Sequence, residues 1–159
     1  MKPHRMVELA GQDDIGPWLA LALEVEPLFG PLIATGFEQR LRTNIGRRSA
    51  FCIRAGKDGV LPAGVIFDSR EAPIYQVTWL AVAERYRGQG FGRSLLEYCL
   101  SVSAPTCIVR VVTFGPTVSG GAAARGLYIA FGFQPEDEFA EPDGGSRQEF
   151  VLTRTAGDA

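Results

Sequence analysis

Apolar side chains recur along this chain with two different spacings, and each spacing predicts one type of element. Short runs rich in valine, isoleucine and phenylalanine predict strands over residues 4–10, 50–54, 60–67, 74–82, 106–114 and 148–153, and around Phe139. Spacings of three and four residues predict helices over residues 17–26, 35–46, 90–102 and 122–131. The acidic, turn-rich segment Glu136–Arg147 predicts an exposed hairpin loop.

The order of these elements is one strand, two helices, three strands, a helix, a strand, a helix and the last strands. We therefore predict an α/β fold in which helices flank a mixed central sheet. The strand at 106–114 is apolar apart from Arg110, so it is expected inside the sheet. No repeat or linker interrupts the chain, and a single domain is predicted to span residues 1–159.

The amino-acid composition and net charge argue against several classes of function. The chain is 46% hydrophobic and 21% charged, which is typical of a soluble globular protein. Its formal net charge of -2 argues against a nucleic-acid binder that relies on a basic surface. The apolar run Trp18–Leu23 is too short to span a membrane, and the N-terminal residues lack a signal-peptide core. These features predict a cytoplasmic protein with no nucleic-acid or membrane partner.

Cysteine and histidine content argues against a metal site. The three cysteines, Cys52, Cys99 and Cys107, form no CxxC pair, and each lies in an apolar stretch. They are therefore expected to be small buried hydrophobes in a reducing compartment. The single histidine, His4, is not enough for a usual metal site or for a Ser-His triad, so no metal is expected.

Residues 80–96 are the most informative segment, because they predict a strand, a polar loop with three glycines and an amphipathic helix. Gly88, Gly90 and Gly92 let the backbone approach a ligand closely and expose the N–H groups at the start of the helix. The helix N-terminus carries a partial positive charge, and Arg87 adds a full one. A diphosphate is the natural ligand of such a loop.

Other interpretations account for this loop less well. A structural turn also uses glycine, but three glycines in five positions after an arginine exceed what a turn needs. A dinucleotide site expects glycine or alanine where Arg93 stands, and no acidic residue lies in Ile108–Thr113, where the ribose-binding carboxylate is expected. A nucleoside-triphosphate loop fails as well, because no Gly-Lys-Ser/Thr sequence follows.

Residues 80–96 closely resemble the pyrophosphate loop of the GCN5-related N-acetyltransferase (GNAT) family. The family pattern is Arg or Gln, two residues, Gly, one residue, and Gly or Ala; the matching positions here are Arg87, Gly90 and Gly92. The resemblance recurs at Tyr128 and Gly132-Phe133, which are close to the family's second signature, a helical tyrosine before Gly-Phe. Together these segments cover roughly the C-terminal half of the chain.

This resemblance implies a GNAT-like fold whose sheet is splayed between the strands Ile74–Val82 and Thr106–Phe114. Acetyl-CoA would lie in that opening, with its pantetheine arm along the backbone of Leu80, Ala81 and Val82. Its pyrophosphate would meet a run of seven consecutive residues: Arg87, Gly88, Gln89, Gly90, Phe91, Gly92 and Arg93. The implied reaction is direct attack of a neutral amine on the thioester.

The resemblance also suggests roles in proton transfer. Tyr128 would protonate the leaving thiolate, since a phenol has a pKa of about 10; a core aromatic is the alternative. Some members use a glutamate six residues before the strand's final valine as the base, but Gln76 stands there. Glu24 and Glu26, between the first two helices, remain as candidates for the base or for attracting a cationic acceptor. The alternative is that both are exposed helix-end charges.

These features predict an acetyl-CoA-dependent N-acetyltransferase acting on a primary amine of a small molecule or peptide, with a homodimer left open. The alternative is a non-catalytic acyl-CoA-binding regulator on the same fold. Members often carry an asparagine that contacts the pantetheine arm seven residues before the tyrosine, where Gly121 stands here. Gly121→Asn is therefore expected to tighten acetyl-CoA binding.

Overall fold

The computed structural model describes residues 6–29, 36–54, 59–116, 118, 120–140 and 146–157, and of residues 28 and 29 it describes the backbone only. Within these ranges the chain forms four α-helices and seven strands. The helices are α1 (Ile15–Phe29), α2 (Phe37–Gly46), α3 (Phe91–Val102) and α4 (Ala122–Ala130). The strands are β1 (Glu8–Leu9), β2 (Ala50–Ile53), β3 (Ala63–Glu71), β4 (Ile74–Val82), β5 (Cys107–Phe114), β6 (Gln134–Ala140) and β7 (Ser146–Arg154).

The strands form one mixed sheet in the order β1-β2-β3-β4-β5-β7-β6. β4 and β5 run parallel and pair over Ile74–Val77 and Ile108–Val111, the first half of β4. β5 pairs antiparallel with β7, and β7 with β6. The α/β fold with a mixed sheet flanked by helices is thus confirmed, whereas the expected splay beyond the paired half of β4 stays a prediction.

Contacts between residues divide the chain into two compact units. The first comprises Met1–Asp68 and Trp79–Val102, and the second comprises Ser69–Thr78 and Ser103–Ala159. β4 contributes residues to both. That one domain spans the whole chain, as the sequence suggested, stays a prediction.

Aromatic packing builds the core of the first unit. Trp18 of α1 and Phe37 of α2 are both buried, and their ring centroids lie 5.7 and 5.2 Å from that of Trp79 on β4. Leu41, one helical turn after Phe37, is also fully buried. Phe37, Leu41 and the partly buried Ile45, spaced four residues apart, lie on the inner face of α2, as the helical spacing of apolar residues predicts.

The second unit has a smaller core around α4. The ring of Tyr128 packs against those of Phe133 and Phe150, with centroids 5.4 and 6.3 Å apart. Arg125, one turn earlier in α4, donates hydrogen bonds to the Phe114 carbonyl and to the Gln148 side chain. These contacts fasten α4 to the ends of β5 and β7.

Several element boundaries differ from the prediction. The expected hairpin loop Glu136–Arg147 is wrong, because β6 extends to Ala140 and β7 starts at Ser146. β6 is an edge strand with every residue exposed, so it lacks the apolar alternation that signals a strand. α1 continues through Pro27 to Phe29, and β1 is shorter than expected. Residue 35, the predicted start of the second helix, lies outside the described residues.

All three cysteines are buried free thiols, as expected for small hydrophobes. Burial raises the pKa of Cys52 and of Cys99 to about 12, so both stay protonated at neutral pH. In the described part of the chain no three potential metal-ligating side chains come together. No helix in that part is long and apolar enough to cross a membrane.

Candidate active site

Backbone hydrogen bonds lie at both ends of the loop between β4 and α3. After β4, the Ala83 N–H donates to the Pro62 carbonyl at 2.8 Å, and a single 3-10 turn spans Glu84–Tyr86. α3 begins at Phe91, where the Ser94 N–H and hydroxyl both donate to the Gly90 carbonyl at 3.0 Å. The predicted order of strand, loop and helix is therefore confirmed.

Two of the three loop glycines adopt a backbone conformation that other residues rarely adopt. Gly88 has φ of 76° and Gly90 has φ of 88°, both in the left-handed region. A Cβ atom at either position would meet nothing within 4 Å. The protein therefore leaves open space beside the loop backbone, as close approach of a bulky anion requires. The first turn of α3 adds backbone N–H groups and a partial positive charge.

Arg87 brings a full positive charge to this loop and also closes it. Its Nε donates to the carbonyl of Val82, the last residue of β4, at 3.2 Å. The contact joins the end of the predicted pantetheine-binding strand, Leu80–Val82, to the predicted pyrophosphate loop. Arg93, the last residue assigned to that loop, lies in α3 and pairs with Glu97 one turn later at 3.1 Å.

Glu24 contacts the same loop. Both Glu24 and Glu26 lie in the last turns of α1 rather than between the first two helices. One carboxylate oxygen of Glu24 accepts a hydrogen bond from the Glu84 backbone N–H at 2.8 Å. The structure thus brings Glu24 to the segment that joins β4 to the Arg87–Gly92 loop.

The sequence analysis did not predict the contact between two aromatic side chains, Tyr86 and Phe91, across the loop. Tyr86, just before Arg87, lies 5.3 Å from Phe91 between ring centroids in an edge-to-face arrangement. The Arg85 guanidinium stacks over the Tyr86 ring at 5.0 Å. Phe91 is buried, and Tyr86 packs against the core of the first unit. Aromatic residues on both sides of a glycine-rich segment were the available signal.

The sequence of the chain matches the family model for the acetyltransferase (GNAT) domain over residues 47–135, more than half of the chain. The chain belongs to the GNAT acetyltransferase family. The matched segment contains the whole Arg87–Arg93 loop and Tyr128, but it begins after Glu24 and Glu26. A comparison with curated proteins gave no significant sequence match.

Solved GNAT structures share this fold at low sequence identity. A GNAT family acetyltransferase from Bacillus cereus is 16% identical with a TM-score of 0.73, and the match covers 94% of this chain and 96% of that one. The ribosomal-protein-S18-alanine N-acetyltransferase from Escherichia coli is 18% identical, with a TM-score of 0.70 and 96% of each chain covered. Arabidopsis thaliana Naa50, in complex with the bisubstrate analogue CoA-Ac-MVNAL, is 13% identical, with a TM-score of 0.70 and coverages of 93% and 97%.

The residues of the second GNAT signature lie in the second unit. Tyr128 is in α4 and only 4% exposed, with its ring against Phe133 and Phe150. Gly132, just before Phe133, adopts φ of 92°, a conformation that ends a helix. This agrees with the signature, in which a helical tyrosine is followed by Gly-Phe. The packing of Tyr128 fits a core aromatic, and its role as an acid stays a prediction.

At the position of the asparagine that many GNAT members carry, packing requires glycine. A Cβ atom at Gly121 would lie 2.5 Å from the Phe114 Cβ and 3.0 Å from its Cγ. Side-chain atoms do not approach this closely without displacement. Gly121→Asn is therefore expected to disturb the end of β5 rather than to tighten binding of the acyl donor.

Proposed function

We propose that this GNAT family member is an acetyl-CoA-dependent N-acetyltransferase that modifies a primary amine of a small molecule or peptide. The observation that carries the proposal is the Arg87–Gly92 loop. It combines two left-handed glycines, open space beside them, an arginine and the N-terminus of a 12-residue helix. This arrangement suits the pyrophosphate of a CoA thioester.

In this proposal the loop N–H groups and Arg87 bind the pyrophosphate of the donor. The pantetheine arm lies along the backbone of Leu80, Ala81 and Val82. Gln89, Phe91 and Arg93 belong to the same binding segment. When bound, acetyl-CoA supplies the thioester that the amine attacks. Because Arg87 hydrogen-bonds to the Val82 carbonyl, the strand end and the loop are held together as one surface for the donor.

We propose that Tyr128 donates the proton to the leaving thiolate, and this assignment rests on the GNAT signature alone. The carboxylates of Glu24 and Glu26 supply negative charge for a cationic acceptor. Glu24 has a further role, because its hydrogen bond to the Glu84 N–H positions the start of the loop. Peptide acceptors are supported by the bisubstrate analogue bound to Arabidopsis Naa50. Because all three cysteines are buried free thiols, we propose a reducing, cytoplasmic setting.

The second candidate is a non-catalytic acyl-CoA-binding regulator. The observation that favours it is the near-complete burial of Tyr128 between Phe133 and Phe150, which suits a structural side chain. Gln76, in place of a glutamate base, points the same way. Release of CoA thiol from acetyl-CoA, measured across a panel of polyamines, amino acids, aminoglycosides and peptides, separates the two candidates. An enzyme releases thiol with at least one amine, whereas a regulator binds acetyl-CoA and releases none.

Donor placement is tested by calorimetry on Gly90→Val. A β-branched residue at φ of 88° is strained, and its side chain fills the open space beside the loop. We expect acetyl-CoA affinity to fall at least about 10-fold, which corresponds to about 1.4 kcal/mol. Gly59→Val is the matched control, because Gly59 also has positive φ and open space but lies outside the loop. Equal affinity in wild type and Gly90→Val would contradict the placement.

A further inference from the structure

One face of the sheet in the second unit carries no helix of that unit among the described residues. Side chains alternate across a strand, and Tyr128 of α4 packs on Phe150 of β7, which fixes the covered face. On the opposite face, Ile108 and Arg110 of β5 lie beside Thr153 and Val151 of β7. These four side chains are partly or fully exposed.

This open face forms a groove of about 590 Å³ along β5, β7 and β6. Ile108 and Val151 supply an apolar floor, and Phe139 of β6 adds an aromatic ring that is 44% exposed. Large exposed aromatic side chains beside apolar neighbours are typical of interaction surfaces. The described residues that line the groove all belong to the second unit, and none of them belongs to the Arg87–Arg93 loop.

The charges around the groove are unbalanced. Among the described residues, three carboxylates line it, Glu136, Asp137 and Glu149, together with one cation, Arg110. Arg110 pairs with Glu149 at 3.1 Å. Across the described ranges no ion pair involves Glu136 or Asp137, which are both exposed. The groove therefore presents two uncompensated negative charges next to an exposed aromatic ring.

The dimensions of the groove match a short extended peptide. Along β7 the lining runs from Glu149 to Thr153, and the four residue-to-residue steps between them span about 14 Å. Across the sheet it covers three neighbouring strands, so it is about 10 Å wide. An extended chain advances about 3.3–3.6 Å per residue, and four or five residues of a partner therefore fill this length.

We propose that this groove docks an extended segment of a partner protein that carries lysine or arginine side chains next to apolar ones. Charge complementarity selects this occupant, because Glu136 and Asp137 attract the cationic groups while Ile108, Val151 and Phe139 receive the apolar side chains. A cationic group over the Phe139 ring gains further attraction. Docking here goes beyond acetyl transfer and requires no turnover.

The test is direct binding of a fluorescent peptide of alternating lysine and leucine, followed by anisotropy, with the same peptide carrying glutamate for lysine as the ligand control. We expect the lysine peptide to bind and the glutamate peptide not to bind. Glu136→Gln and Asp137→Asn should each weaken binding about 2- to 5-fold, the range for one exposed ion pair. Phe139→Ala should weaken it by a similar factor. These side chains are exposed, so the variants should stay folded, and thermal melting verifies that.

Glu138→Gln is the matched control, because Glu138 lies on the same strand and is exposed but does not line the groove. It should bind the lysine peptide as the wild type does. Two outcomes would show that the protein merely attracts polycations and would overturn the proposal. One is an equal loss of peptide affinity in Glu138→Gln. The other is unchanged affinity in Phe139→Ala together with full displacement of the peptide by free spermidine. The proposal would also be overturned if the protein did not bind the lysine peptide but self-associated, and if Glu136→Gln abolished that self-association. The groove would then bind a second copy of the chain.

Discussion

Replacing Gly121 with alanine tests the packing at the start of α4. Gly121 is buried, and its backbone conformation, φ of -86° and ψ of -9°, is open to any residue. The obstacle is space alone, because an alanine Cβ would lie 2.5 Å from the Phe114 Cβ. Carbon atoms in contact prefer a separation of about 3.5–4.0 Å. One of the two segments must therefore move by about 1 Å.

Phe114 has little freedom to give way. Its carbonyl accepts a hydrogen bond from Arg125 at 3.0 Å, and the Arg147 guanidinium lies 5.3 Å from the centre of its ring. The next residue, Gly115, donates its N–H to the Ser146 carbonyl at 2.9 Å. Overpacking of a constrained core costs about 1–3 kcal/mol. For a chain of this size each kcal/mol lowers Tm by about 2–4 °C, so we expect a fall of about 2–12 °C.

The assay is thermal unfolding followed by circular dichroism, with Gly126→Ala as the matched control. Gly126 lies in the same helix, but a Cβ atom there meets nothing within 4 Å. Alanine is the better helix former by about 1 kcal/mol, so Gly126→Ala should raise Tm. A Gly121→Ala variant that melts at or above the wild-type temperature would refute the steric argument. It would also restore the possibility of an asparagine contact at that position.

Three further predictions concern proton transfer, loop positioning and acid stability. Tyr128→Phe keeps the ring packing but removes the proton, and if the tyrosine is the acid, kcat and kcat/KM should fall together by about 100-fold; unchanged kcat would leave it a core residue. Glu24→Ala should weaken acetyl-CoA binding about 2- to 10-fold in calorimetry, whereas Glu24→Gln, which keeps an acceptor for the backbone N–H, should stay within about 2-fold; equal losses would indicate a charge effect instead. Arg54 donates two hydrogen bonds to Asp14 and holds its pKa below the usual value, so the stability from this pair is complete above about pH 4 and is lost as the pH falls further. In urea unfolding, Asp14→Asn should therefore lose less stability than the wild type between neutral and acid pH.

Local patterns in the sequence were sufficient for most elements and for the order of strand, loop and helix around Arg87–Gly92. Alternation and helical spacing predicted β4, β5 and α3 to within one residue, because side-chain periodicity is a property of neighbouring residues. Closely spaced glycines predicted a loop backbone that a ligand can approach, and the positive φ of Gly88 and Gly90, which only glycine readily adopts, is a further finding of the structure. A strand around Phe139 was also predicted and is confirmed by β6, but its extent was not, because strand pairing at a sheet edge is made by the backbone and leaves no apolar pattern.

Only the tertiary structure decided which distant residues act on one another. Glu24 contacts Glu84 across 60 residues of sequence, and this hydrogen bond is the basis of the positioning role that we propose for Glu24. Phe114 excludes a side chain at Gly121, and the strand register gathers the acidic residues of β6 around one groove. The physical reason is the same in each case. A hydrogen bond, a steric conflict or a charge cluster depends on distances in space, and residue spacing along the chain fixes those distances only within a single element.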